Sequence, residues 1–176
     1  MKQEILKRVI RTAFFLTSRK RASASARKML KVYEGFADKI TEGQGRKIME
    51  VPLMAGVDEE MRQWSFYMIL EHNVLVNRAI TANMQQLALG ETLHGDAVID
   101  PQKDVLPSLN PGPEQVERFT RTVHQHLEIV KTLDKLRGTQ TSTHPLFGEF
   151  DAHFWHCLFS FHLKIHLRQT RLVLAA

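Results

Sequence analysis

One cysteine, Cys157, stands in 176 residues. That count excludes an intrachain disulfide and any zinc site built from several thiolates. No apolar run reaches the ~20 residues that a membrane-spanning helix needs. There is no Gly-rich phosphate loop and no Gly-x-Ser-x-Gly nucleophile elbow. No alternating run of strand length with hairpin turn chemistry stands out, and no internal repeat or low-complexity tract occurs. What is present is a globular balance, 43% hydrophobic and 24% charged. It argues against whole-chain disorder and fits one domain over residues 1–176. A soluble, cytoplasmic protein is the expectation.

Acidic residues are scarce at the N-terminal end. Residues 1–33 hold ten Lys and Arg and one acid, Glu4, a net of +9. The whole chain carries +5, so the remainder carries −4. The ordinary reading of such a basic segment is the solvated face of a first helix. An organelle transit peptide, contact with an anionic membrane or partner, and a nucleic-acid patch share the same composition. No Gly- or aromatic-based nucleic-acid motif accompanies the charge, which speaks against the last.

Apolar periodicity predicts four helical segments. The first lies within residues 3–42, with a break near Ser18–Ser25, and is clearest at Met29, Leu30, Tyr33, Phe36, Ala37 and Ile40. Gly43 and Gly45 are expected to stop it. The second runs from an Asp58 N-cap to Leu89, with Met61, Trp64, Met68, His72, Leu75, Ala79 and Asn83 on one stripe and Gly90 as its end. The third runs from Pro113 to Arg137, with Gly138 as its cap. The fourth runs from Asp151, a candidate N-cap, to Leu174. An all-α four-helix bundle with long crossover loops follows. The connection Glu91–Gly112 is long enough to cover something.

Nine histidines are the chemical peculiarity of the chain. A helix turns ~100° per residue, so residues four apart share a face. Only His162 and His166 have that spacing. His124 and His126 diverge by ~200°, and His153 and His156 point ~120–180° away from the His162 face. These four are expected at interfaces or in solvent, and His94 and His144 in loops. His72 sits mid-stripe on the second helix. In isolation such a histidine is read first as a satisfied core residue. Together with a chelating pair on another helix it completes three imidazoles, a set that leaves coordination positions open. Glu91-x-x-His94 is the only Glu-x-x-His, and it straddles Gly90 and Gly95, so a carboxylate-bridged di-iron site is excluded. Cys157 lies off the His162 face and reads as a small buried filler.

His162-Leu-Lys-Ile-His166-Leu-Arg-Gln169 resembles the His-x3-His-x2-Gln signature of the DinB-like (YfiT-like) metal-binding superfamily. Leu70-Glu-His72-Asn73-Val74 resembles its first metal histidine. Val105-Leu-Pro-Ser-Leu-Asn-Pro-Gly-Pro113 with Glu114 and Phe119, and His144-Pro-Leu-Phe-Gly148, resemble an uncharacterised branch of it. The likeness covers roughly residues 50–174 and leaves the basic segment unexplained. It implies a four-helix bundle in which His72, His162 and His166 hold nickel, zinc or iron, with Gln169 serving the site by hydrogen bonding. It also implies a homodimer. Characterised relatives include mycothiol-dependent isomerases and bacillithiol transferases, so a low-molecular-weight thiol and S-transfer or isomerisation come with the resemblance. A non-catalytic binder of the same fold, and a peripheral membrane or partner-binding protein acting through residues 1–33, remain as alternatives. The Glu91–Gly112 and His144–Gly148 segments are expected to shape a pocket mouth.

Overall fold

The computed structural model describes residues 2–91 and 104–175. The chain folds as an all-α bundle. In order it forms α1 (Lys2–Leu16), α2 (Arg19–Ala37), a short α3 (Glu42–Arg46), β1 (Met49–Glu50), a 3-10 turn (Glu59–Met61), β2 (Gln63–Trp64), α4 (Phe66–Ala88), α5 (Glu114–Thr132), β3 (Ser142–His144), β4 (Gly148–Phe150) and α6 (Ala152–Ala175). Helices α2, α4, α5 and α6 make the bundle. Each packs on two neighbours, in the ring α2–α6–α4–α5. The connections from α2 to α4 and from α5 to α6 therefore cross between diagonal partners, and both are long.

Local chemistry sets the helix ends. The first predicted helix is broken where Ser18 caps α2, its side chain accepting from the Arg21 N–H. Gly43 and Gly45 do not stop that helix. Asp38 ends it, and the two glycines lie inside α3, where Gly45 lets the Tyr67 ring approach too closely for a side chain. Asp58 is not the cap of α4 either. It precedes the 3-10 turn, and Ser65 caps α4 by accepting from the Met68 N–H at 3.2 Å. Gly90, with φ +83°, terminates α4 as expected. Pro113 stands at the N-cap of α5 rather than inside its first turn, and α5 ends at Thr132, six residues short of Gly138. Asp151 does cap α6: one carboxylate oxygen accepts from the Phe154 N–H at 2.9 Å, the other from the Gly138 N–H at 3.0 Å.

Two small antiparallel ribbons were not legible in the sequence. Met49–Glu50 pairs with Gln63–Trp64, and Ser142–His144 pairs with Gly148–Phe150. Two- and three-residue strands are too short to show alternation. The main core runs through the bundle, with Tyr33, Phe66, Phe119, Phe150, Phe159 and Leu163 essentially inaccessible. A second cluster of Val51, Val57, Met61, Trp64, Met68, Ile69 and Val173 packs the first ribbon and the 3-10 turn onto α4 and α6. That cluster supports the site described next. Among the described residues no helix is long and apolar enough to cross a membrane.

Candidate metal centre

The neighbours α4 and α6 bring His72, His162 and His166 together, with one donor atom from each within 4.8 Å of the others. His72 Nε2 lies 3.1 Å from His166 Nε2 and 3.2 Å from His162 Nε2. No other group of three or more metal-ligating side chains forms among the described residues.

The hydrogen bonds decide what those nitrogens can do. His72 Nδ1 is 2.7 Å from the Val105 carbonyl oxygen. A carbonyl only accepts, so Nδ1 carries the proton and Nε2 keeps its lone pair. His166 Nδ1 donates to Gln169 Oε1 at 2.8 Å, and the Gln169 amide is oriented because its Nε2 donates to the Met61 carbonyl at 2.6 Å. His166 Nε2 is therefore also a bare acceptor. Two lone pairs face each other at 3.1 Å in a buried place, an arrangement that calls for a cation between them. Imidazole nitrogens about 2.0–2.1 Å from a divalent ion would lie about 2.8–3.4 Å apart in octahedral or tetrahedral geometry, a range that includes the observed spacing. The donor set therefore fits a divalent ion of the nickel, zinc or iron type.

Electrostatics point the same way. Burial holds His72 down to about 4 against a small opposing effect of the Val105 bond. Burial and the nearby His72 hold His166 to about 3. His162 is pushed well below its ordinary value by burial and then by His166, His72 and His144. All three rings are neutral at pH 7, the form that ligates metals. Trp64 lies against the His72 ring, centroids 5.0 Å apart, and restricts its rotation. His162 Nδ1 is buried without a hydrogen-bond partner.

Comparison with known proteins finds no matching family model, no matching curated protein and no matching solved structure.

The three rings line a cleft of about 420 Å³, the size of a small-molecule site. Its walls are largely apolar, with Val76, Ile80, Trp155, Leu158, Phe161 and Ile165 from α4 and α6. The second ribbon closes one side through residues 141–147, as expected of the His144–Gly148 turn. Val105 contributes from the segment before α5, so the end of the long connection does cover the site. Glu71 holds that segment by accepting from the Ser108 N–H and hydroxyl, both at 2.8 Å. Residues 92–103 of the connection, including His94, lie outside the described residues.

His144 is expected in a loop at the pocket mouth, with no chemical role of its own. It is part of β3, lines the cleft and stacks on Phe147 at 4.8 Å. Its Nδ1 accepts from the Leu146 N–H at 3.1 Å, which leaves Nε2–H as a donor. No sequence signal marks this role, because it depends on a ribbon three residues long.

Of the two alternatives for His126, His153 and His156, interface or solvent, solvent is overturned. All three are buried, at 0–1% exposure, while His124 is exposed as expected. They find partners in the core rather than at a surface. Thr81 donates its hydroxyl to the Asn77 carbonyl, so it accepts from His126 Nδ1–H at 2.9 Å. His126 Nε2 then accepts from His156 Nδ1–H at 2.9 Å, and His156 Nε2 from the Ser23 hydroxyl at 3.1 Å. His153 Nε2–H donates to the Thr17 carbonyl at 2.9 Å. Helical angle separated them from the site but could not show that other helices cover those faces. Cys157 is the buried filler expected, its thiol pushed up to about 12 mainly by burial, and is no nucleophile.

Gln169 touches the site only through His166. The Gln169→Leu protein is expected to lose about 10–100-fold in metal affinity, because His166 would no longer be held in the tautomer that frees Nε2. Competition with a chromophoric chelator measures this. An affinity equal to wild type would remove the assigned role.

Proposed function

We propose that this chain is a DinB-like divalent-metal protein, with His72, His162 and His166 as ligands, acting in thiol-dependent S-transfer or isomerisation. The facing Nε2 lone pairs of His72 and His166 in the wall of a cleft carry the reading. The resemblance of the His162–Gln169 segment supplies the reaction class. A divalent ion held by three neutral ligands would supply Lewis acidity, lowering the pKa of a thiol or water at neutral pH. The protein has no thiol of its own for the work, since Cys157 is buried and protonated.

The chain's other groups select and orient. The described lining residues include no Lys or Arg and two exposed acids, Asp58 and Glu149. A small, mainly apolar, uncharged thiol or electrophile suits these walls better than a polyanionic one. His144 Nε2–H is placed to donate to a polar atom of a molecule lying along the cleft.

Elemental analysis of freshly purified protein is the first test, and one divalent ion per chain is expected. Metal-loaded protein should then consume an apolar thiol with an electrophile. Absence of any bound divalent ion would end the reading. Tight metal binding without turnover across several thiols and electrophiles would leave a non-catalytic binder of the same architecture.

A further inference from the structure

One flank of α1 is apolar. Ile5, Leu6, Val9 and Leu16 are each more than half exposed, while Ile10 and Phe14 take the side against the body. At ~100° per residue the four exposed side chains fall within an arc of about 100°, centred roughly 110° round from Ile10 and Phe14. A contiguous aliphatic stripe of this kind on a surface helix marks something that covers it.

Across the Ser18 turn the chain becomes strongly cationic. Lys20, Arg21, Arg27, Lys28 and Lys31 are all exposed, on the side of α2 opposite its buried Ala22, Ala26, Met29 and Leu30. None of the five forms a salt bridge among the described residues. Glu128, whose carboxyl feels Arg27, is already bonded to Lys131 at 2.6 Å. The aliphatic stripe ends at Leu16 and the cations begin within the next turn and a half.

Charge chooses between occupants. A second copy of the chain would bring these cations against their own kind. A nucleic acid would answer the cations and leave the aliphatic stripe in water. An anionic bilayer surface answers both, because the acyl boundary takes the aliphatics and the headgroups take the cations. We propose that the apolar stripe of α1 and the cationic face of α2 dock on an anionic lipid membrane. Ile5, Leu6, Val9 and Leu16 enter the interface, and the five α2 cations meet its headgroups. A 15-residue α1 lies in the plane of the surface rather than crossing it.

Sedimentation of the full chain with lipid vesicles tests this. Binding is expected to phosphatidylcholine vesicles containing phosphatidylserine, with little to phosphatidylcholine alone and steep weakening by salt. Ile5→Asp with Val9→Asp should lower partitioning at least about tenfold. Lys28→Gln with Lys31→Gln should lower it about fivefold per charge removed. All four positions are exposed, so circular dichroism and metal content should match the parent. No vesicle binding, equal binding to neutral vesicles, or variants that partition like the parent would overturn the proposal. So would binding to duplex DNA that the Ile5/Val9 variant retains in full, or a dimer in sedimentation equilibrium that the same variant abolishes.

Discussion

His166→Ala is expected to lower the affinity for a divalent ion by at least ~100-fold, since even residues that merely support a ligand cost 10–100-fold. His72→Ala and His162→Ala should behave alike, because each removes one of three converging nitrogens. The fold should survive. The three rings are not part of the apolar cluster of Tyr33, Phe66, Phe119, Phe159 and Leu163 that makes the central core. His166→Ala leaves the Gln169 carbonyl without its donor, a loss of about 1–3 kcal/mol. Removing one of two facing lone pairs offsets part of this in metal-free protein. Calorimetric titration with zinc and circular dichroism provide the two readouts. Unchanged zinc stoichiometry and affinity in any of the three variants would refute the assigned coordination.

Metal-free protein is expected to lose stability steeply as the pH falls from 6.5 towards 4. The cause lies in two sets of buried histidines, those lining the cleft and those of the core. Burial holds His156 at about 4, with lesser contributions from His153 and Arg19, and burial together with His156 holds His126 well below its ordinary value. The unfolded chain takes up protons near pH 6.5, while the folded chain resists them. Between those two values the unfolded state binds more protons, so stability is full above pH 6.5 and declines as the pH drops. For His156 alone the loss is about 2–3 kcal/mol by pH 4.5. His126 adds a loss of the same sign, as do His72 and His166 when no metal holds them. Domains are stable by only ~5–15 kcal/mol, so unfolding in this range is the expected outcome. Urea midpoints at pH 7 and pH 4.5 measure it. The His126→Asn, His156→Asn double variant should remove their share of the acid loss. If its midpoint falls as far as that of the parent, the core histidines are not the acid-sensitive element.

The histidine pattern shows how far a single chain can be read. The spacing of His162 and His166 was enough to place two imidazoles on one face, because that depends only on helical pitch. Asp151 and Gly90 could be placed for the same reason: a cap is a local affair between a side chain or a φ angle and the nearest backbone. Ser65 rather than Asp58 caps α4, although both residue types suit a cap, and which of them does so depends on the ribbon pairing Met49–Glu50 with Gln63–Trp64. Helical angle separates His126 and His156 from the His162 face but leaves open whether they meet an interface or solvent. They are inside because α2, α4 and α5 close over those faces, and no periodicity along α5 or α6 alone contains that information.

The amino-acid order by itself determined the helical character of this protein, the pairing of two imidazoles on its last helix and the concentration of positive charge at one end. Each follows from interactions within a few residues, where pitch, caps and charge spacing act directly. Only the tertiary structure decided that His72 meets that pair at lone-pair distance, that Val105 and Gln169 hold the tautomers, that His144 walls the cleft and that the aliphatic side of α1 stays uncovered. These depend on which helix lies beside which, and that is settled by burial of the whole apolar surface at once rather than by any one segment.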